Sequence, residues 1–344
     1  MPLDVNLSSC TRRSVVNSAV GVSVCVVNWN TCELLRACLR SVGETLGAVS
    51  HEVLVCDNAS ADGSAEMVEA EFPEVRLVRN GENVGFARAN NQLIELSRGE
   101  YVLLLNSDAQ LREGTVQGLR EFMDRHPRAG ACSPQLRNEG GRIQAQGQQF
   151  PSLKRILTRC VRADFPPLGP YLVRSQKEAV RPPCDATEME IVSAACLLLR
   201  RRALDEVGLL NRALFFFGEE ADLCYRLRAG GWQVWCEPGV EALHLVGRSS
   251  RKNEDLDGGW QLVFGHVSFI RRFQGKLPAV AVCPVIGGFY LWSLAAYACR
   301  AVLLPWREGS LGLMKLYAVR LYRLGQTAIS LAMSNEPDGS YRGT

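Results

Sequence analysis

The chain has 344 residues, 47% of them apolar and 22% charged, a balance that excludes a disordered tail protein or a collagen-like repeat. Its formal charge of +3 is too small to imply nucleic-acid binding by bulk electrostatics. Thirteen cysteines are present, but the number is odd and no C-x-x-C pair occurs. Cys25, Cys56 and Cys196 sit inside apolar runs, which points to a reducing compartment rather than a disulfide scaffold or a zinc ribbon.

Residues 1–21 read as an N-terminal extension. They hold Arg12 and Arg13 but no apolar core followed by a cleavage site, so a secretory signal is not expected. Strand and helix patterns then alternate. Val22–Val27 is a short β-branched run, and Cys32–Leu46 carries Leu35, Leu39, Val42 and Leu46 at helical spacing. A strand at Glu52–Cys56, a helix near Ser64–Phe72, a strand at Val75–Arg79 and a helix near Phe86–Leu96 follow. Tyr101–Leu105 is a further apolar run, and a helix is expected around Thr115–Arg125. This alternation predicts a mostly parallel sheet with helices on both faces, and such sheets bind ligands beyond the carboxyl ends of their strands.

Small polar residues stand at those ends: Asn28-Trp29-Asn30, Asp57 through Ser64, Asn80 through Gly85, and Asn106-Ser107-Asp108. Turn and N-cap chemistry accounts for Ser60, Asp62 and Ser64. Asp57 and Asp108 differ, because each directly terminates a hydrophobic strand where a ligand would lie. No G-x-G-x-x-G opens the first helix and no Walker phosphate loop appears, which argues against a dinucleotide dehydrogenase and a P-loop NTPase.

Residues 136–187 are irregular, with Gly140-Gly141, a glutamine-rich stretch at 144–149 and several prolines, and read as an insertion that shapes an acceptor site. Order returns at Glu190–Arg200. Phe215-Phe216-Phe217 then leads into Gly218-Glu219-Glu220-Ala221-Asp222, and Leu223 and Leu227 stripe a helix ended by Gly230-Gly231. Three carboxylates at a helix start complement its dipole. Three aromatic neighbours add desolvation, which raises a carboxyl pKa and suits a general base. Asp222, one turn beyond Glu219, is placed to orient neighbours or bind an acceptor. His244 ends another apolar stretch and precedes a Gly/Ser/Arg loop; with an aspartate such as Asp108 it makes a site for Mn²⁺ or Mg²⁺.

Leu277–Cys299 runs 23 residues without a charge, long enough to cross a bilayer core as a helix. Pro278, Pro284 and Gly287-Gly288 weaken a straight span, and basic residues flank both sides (Arg271, Arg272 and Lys276 before; Arg300, Arg307, Lys315, Arg320 and Arg323 after). A span, a re-entrant or interfacial segment, and a buried core helix of a soluble domain are the alternatives. Membrane association through residues 277–306 is the expectation.

Six pieces in order carry a resemblance: Val24 through Asn30; Val55 through Ser64; Asn83 through Asn91; Leu103 through Asp108; Phe217 through Leu223; and His244 with Gly247 and Ser249. Over residues 22–276 the chain resembles the family 2 glycosyltransferases, and among them the bacterial rhamnosyltransferase-like members that build cell-surface polysaccharides. The resemblance implies an α/β, GT-A (Rossmann-like) domain over 22–270 and, with the apolar tract, a membrane-associated helical region over 271–344. It implies inverting transfer from a nucleotide diphosphate sugar, with dTDP-rhamnose the leading donor. Asp57 would bond the pyrimidine base, and Asn28 and Asn30 would line the nucleotide pocket. Asn83, Gly85, Arg88 and Asn90 would lie beneath the nucleotide-sugar. Asp108 and His244 would hold the divalent cation bridging the diphosphate, with Arg248 or Arg251 near the phosphates. Glu220 matches the position of the catalytic base, with Glu219 next in line. The chain departs from the usual Asp-x-Asp by Asn106 and from the usual Glu-Asp pair by Glu219-Glu220.

The implied protein is a membrane-associated enzyme on the cytoplasmic face of the inner membrane, acting on a saccharide or polyprenyl-linked acceptor. Two rivals stand beside it. A sugar-nucleotide nucleotidyltransferase would need a glycine-rich basic loop that Asn28-Trp29-Asn30 does not offer. A catalytically inactive, sugar-nucleotide-binding membrane scaffold is compatible with the two departures.

Overall fold

The computed structural model describes residues 20–46, 49–144, 149–156, 184–245, 258–303 and 310–333. Among the described residues nine strands form one sheet: β1 (Val22–Asn28), β2 (His51–Asp57), β3 (Arg76–Arg79), β4 (Tyr101–Asn106), β5 (Ala109–Leu111), β6 (Ala129–Arg137), β7 (Thr187–Glu188), β8 (Cys196–Arg200) and β9 (Gln233–His244). Their order is β3-β2-β1-β4-β8-β6-β9-β5, with β7 paired to β9. The described helices are α1 (Cys32–Thr45), α2 (Ser64–Glu71), α3 (Phe86–Leu96), α4 (Thr115–Arg125), α5 (Arg201–Val207), α6 (Glu219–Ala229), α7 (Gly258–Gln274), α8 (Lys276–Leu303) and α9 (Ser310–Met333).

Alternate residues of the central strands enter two cores. Val22, Val24, Val26, Leu103 and Leu105 pack with side chains of α1, α2 and α4 on one face. Cys25, Leu54, Cys56, Val102 and Leu104 pack with α3, α5 and α6 on the other. The expected stripe of α1 is buried at Leu35, Leu39 and Val42, each such side chain contributing about 1.5–3 kcal/mol on removal from water. Burial pushes the Cys56 and Cys196 thiols up to about 12, so both serve as packing residues rather than nucleophiles.

The parallel expectation holds for β3-β2-β1-β4, whereas the other half of the sheet is mixed. β6 runs in the same direction as β4, so its carboxyl end lies at the same edge of the sheet. The chain then re-enters at β8 from that edge, and β8 therefore lies antiparallel between β4 and β6. β9 runs parallel to β6 and antiparallel to β5. This places His244 opposite Ala109, the residue after Asp108. Two segments remote in sequence thus meet at the edge where the parallel strands end.

A third core joins α7, α8 and α9 through Trp260, Val267, Ile270, Ala279, Val282, Ile286, Tyr290 and Leu324. α8 is continuous through Pro284, and Gly287 faces Leu321 and Leu324 of α9. Tyr290 and Tyr297 both pack on Tyr317, and Gly287 faces Leu321 and Leu324, so α8 and α9 form an antiparallel hairpin.

Candidate active site

The row of strand ends is built by a buried hydrogen-bond network. Asn28 and Asp57 are register partners on β1 and β2, and Asn28 Nδ2 donates to Asp57 Oδ1 at 3.0 Å. Ser60 donates its backbone N–H to Asp57 Oδ2 (2.9 Å) and its hydroxyl to Asp57 Oδ1 (2.6 Å). Thr31 Oγ1 donates to Asn28 Oδ1 and lies 2.9 Å from Ser107 Oγ, which ties β1 to the loop after β4. Asn30, at φ +53°, accepts the Ala61 N–H on its side-chain oxygen. Asn28, Asn30 and Asp57 therefore shape one another as well as any pocket. Thr31, at the entry to α1, carries no signal in the sequence beyond an N-cap.

The loop before α3 is held differently. Asn83 Oδ1 accepts the Gly85 N–H, an Asx turn. Gly85 has φ +85°, and a Cβ there would lie 2.6 Å from Phe215 O. Phe86 N donates to that same carbonyl at 2.8 Å. Two of the expected donor-site residues are engaged in the fold: Arg88 Nε donates to Arg212 O, and Asn90 Nδ2 donates within its own helix to Phe86 O. Asn91 forms a reciprocal pair with the Leu210 backbone, fixing the segment that leads to the aromatic run.

That run is a strap. Phe216 and Phe217 pack at 4.2 Å, and Phe86 meets Phe216 edge-on at 6.4 Å. Phe217 and Gly218 both have positive φ, +67° and +97°, turning the chain sharply into α6. Glu219 and Glu220 open this helix. Backbone N–H groups at a helix start hold carboxylates down, but burial outweighs them here and raises both, Glu219 well above the ordinary range. The neighbouring Glu220 charge raises Glu219 further. Glu219 is 4% exposed and its Oε2 is buried without a hydrogen-bond partner, whereas Glu220 keeps access to solvent. Asp222 is spent on the fold. It is buried, accepts from Arg226 Nε at 2.7 Å, and pairs with Arg272 of α7 at 3.1 Å.

At the end of β4, His244 Nε2 stands 3.5 Å from Asp108 Oδ1, and Leu245 N donates to Asp108 O. Two residues earlier, Asn106 Oδ1 is buried without a hydrogen-bond partner. Among the described residues no cluster of three or more His, Cys, Asp or Glu is gathered at metal-ligating distance; the available donors are Asp108, His244 and the Asn106 amide oxygen. Arg248 and Arg251 lie outside the described residues. The other side of His244 is held by Gln144, a contact that no sequence signal indicated.

The family model for Glycosyl transferase family 2 matches residues 23–208. The chain belongs to this family. The N-acetylglucosaminyl-diphospho-decaprenol L-rhamnosyltransferase of Mycobacterium tuberculosis is 32% identical over 212 residues, covering 58% of this chain and 68% of that one. The low-salt glycan biosynthesis hexosyltransferase Agl10 of Haloferax volcanii is 24% identical over 231 residues, covering 65% of this chain and 66% of its own. The structure of GalNAc-T7 with UDP, GalNAc and Mn²⁺ superposes with a TM-score of 0.54 at 13% identity, over 94% of this chain and 59% of the other. The GT-A fold expected from the sequence is thus the fold found, and the family 2 assignment holds at the level of sequence, fold and relatives.

Proposed function

We propose that this family 2 glycosyltransferase is an inverting, cation-assisted sugar transferase that uses dTDP-rhamnose and delivers the sugar to a polyprenyl-diphosphate-linked saccharide. The observation that carries the reading is the apposition of Asp108 and His244 at the carboxyl edge of the sheet, Asp108 standing two residues after Asn106, whose side-chain oxygen is buried without a hydrogen-bond partner. Two oxygens and an imidazole suit Mn²⁺ or Mg²⁺, the imidazole favouring manganese. When bound, such an ion supplies charge stabilisation for a departing diphosphate. The remaining work falls to the chain. Asp57, fixed by Ser60 and Asn28, offers acceptor lone pairs to a pyrimidine N–H. Glu220, raised by burial yet reachable, takes the proton of the acceptor hydroxyl as its oxygen forms the new bond to the sugar carbon. The old sugar–phosphate bond breaks with its electron pair leaving on the nucleoside diphosphate. Attack opposite the leaving group inverts the carbon.

The rhamnose assignment draws on the 32% identical mycobacterial rhamnosyltransferase, and the acceptor class on the decaprenol in that relative's name. A panel of sugar nucleotides with and without Mn²⁺ tests the donor. Cation-dependent turnover of dTDP-rhamnose is expected, and a preference for a purine donor such as GDP-mannose would overturn the assignment.

A lipid-linked acceptor fits the hairpin of α8 and α9. Among the described residues one helix, Lys276–Cys299, is long and apolar enough to cross a membrane, and 41% of that stretch is buried in the fold. Leu277, Leu291 and Trp292 of α8 and Leu313, Val319, Tyr322 and Ile329 of α9 are exposed. From 276 to 333 the sequence holds six basic residues and one acidic, Glu308, which suits an anionic cytoplasmic leaflet. In flotation with phosphatidylglycerol-containing vesicles, the full chain is expected to rise with the lipid and a Leu291→Glu/Trp292→Glu variant to stay behind. Equal flotation of both would remove this face from the proposal.

A further inference from the structure

Gln144 reaches His244 across 100 residues of sequence and makes two hydrogen bonds to it. Its Nε2 donates to the His244 backbone carbonyl at 2.5 Å, and its Oε1 lies 3.0 Å from His244 Nδ1. The first of these fixes the second. A backbone carbonyl only accepts, so the amide nitrogen of Gln144 must face it, and the amide oxygen must face the ring. An amide oxygen only accepts, so Nδ1 must carry the proton. In the neutral imidazole Nε2 is then the nitrogen with the free lone pair, and Nε2 is the atom that stands 3.5 Å from Asp108 Oδ1. A lone pair facing a carboxylate is unfavourable unless something positive lies between them.

Gln144 is rigidly presented. Its N–H donates to Leu136 O, and its carbonyl accepts from the buried Gln135. The turn that delivers it is closed by Asn138, which donates its N–H to Arg142 O and accepts the Arg142 N–H on its side chain. Leu136 and Arg137 are in turn register partners of Ala242 and Leu243 on β9. The clamp and its target are thus carried by neighbouring strands of one sheet.

From this geometry we infer that Gln144 is a positioning residue that locks His244 in the Nδ1-protonated tautomer and turns its Nε2 lone pair toward Asp108, preparing the pair to share a cation. The inference rests on the cation site proposed above for Asp108 and His244. It gives the first glutamine of the 144–149 stretch, expected from sequence to shape an acceptor site, a different task. Outer partners that fix a ligating histidine typically matter about 10–100-fold in metal affinity when removed.

The test reads the tautomer and the affinity separately. In ¹⁵N-labelled full-length protein without added metal at pH 8, two-bond ¹H–¹⁵N correlations assign the His244 ring by its loss in His244→Gln. The expected pattern is a protonated Nδ1 and an unprotonated Nε2. A proton on Nε2 in the wild type overturns the inference without any variant being needed. Gln144→Leu, which keeps volume and loses both hydrogen bonds, is expected to lose this pattern while the other three histidines keep theirs. Mn²⁺ alone is then titrated by electron paramagnetic resonance. Binding weakened about 10–100-fold in Gln144→Leu and lost in His244→Gln supports the inference. Wild-type affinity in Gln144→Leu with loss in His244→Gln overturns the role of Gln144 and leaves the cation site standing. Wild-type affinity in both variants overturns the cation site, and with it the role of Gln144 in preparing it.

Discussion

Glu220→Gln is expected to lower the rate of sugar transfer by about 10²–10⁴-fold, the usual contribution of a general base, while donor binding stays at the wild-type level. The reason lies in how two adjacent carboxyls share a desolvated helix start. Burial and mutual repulsion oppose two charges there, so one group keeps its proton to higher pH than an ordinary glutamate. Glu219 is the more buried and has an oxygen without a partner, so it holds the proton. Glu220 retains solvent access and is therefore the one proposed to meet an acceptor hydroxyl. The acid limb of the wild-type pH–rate profile should therefore lie above the ordinary carboxylate range and disappear in Glu220→Gln.

Glu219→Gln should behave in the opposite way. A carboxyl whose folded pKa is raised binds a proton in the native state after the unfolded chain has lost it. Stability therefore falls as pH climbs from the unfolded value toward the folded one. The glutamine removes this cost. The variant should melt at a higher temperature than the wild type at pH 8, with the difference vanishing below about pH 4, where both states are protonated. Transfer retained in Glu219→Gln and lost in Glu220→Gln assigns the base; the reverse pattern would exchange their roles, full activity in both would place the base elsewhere, and donor binding without transfer in the wild type would favour an inactive scaffold.

The helix starts, the parallel half of the sheet and the strand-end polar residues were legible because each is written in local spacing. Leu35, Leu39 and Val42 are one helical face, and Asp57 and Asp108 each close an apolar run. Three things were not legible. β8 carries the same kind of apolar run as β4, and its reversal depends on where the chain returns after a long irregular excursion. The Gln144–His244 clamp joins residues 100 apart, through a side chain that resembles any other loop glutamine. Asp222 reads as part of a catalytic acidic triplet, yet it is held by Arg226 and by Arg272, which lies 50 residues downstream. In each case the deciding partner is supplied by tertiary structure.

The same limit hides the contact expected to produce the second large effect. Gly265 of α7 carries no motif, yet a Cβ there would lie 2.6 Å from Phe217 O and 3.3 Å from Gly218 Cα. These are backbone atoms of the strap that turns into Glu219 and Glu220, and Phe217 already sits at positive φ. They cannot swing aside as a side-chain tip would. The strap is gripped on its other flank, where Gly85 abuts Phe215 O at a virtual Cβ distance of 2.6 Å. A side chain at 265 must therefore push the start of α6 or part α7 from it, straining the Asp222–Arg272 pair. A displacement of about 1 Å at a reacting group costs on the order of 10²-fold in rate. Gly265→Ala is accordingly expected to reduce kcat about 100-fold with a smaller change in donor KM, because the strand ends proposed to bind the donor lie on other elements. Gly287→Ala is the matched control: it adds the same methyl group to the neighbouring helix, where the nearest atom, Leu324 Cδ2, is 3.6 Å away in ordinary contact. Circular dichroism separates misplacement from unfolding, since a folded Gly265→Ala with crippled turnover isolates the strap. If Gly265→Ala and Gly287→Ala were equally active, α7 would be packing against the acidic helix without setting its position. The apolar hairpin that α7 leads into would then be a tether rather than part of what holds the base.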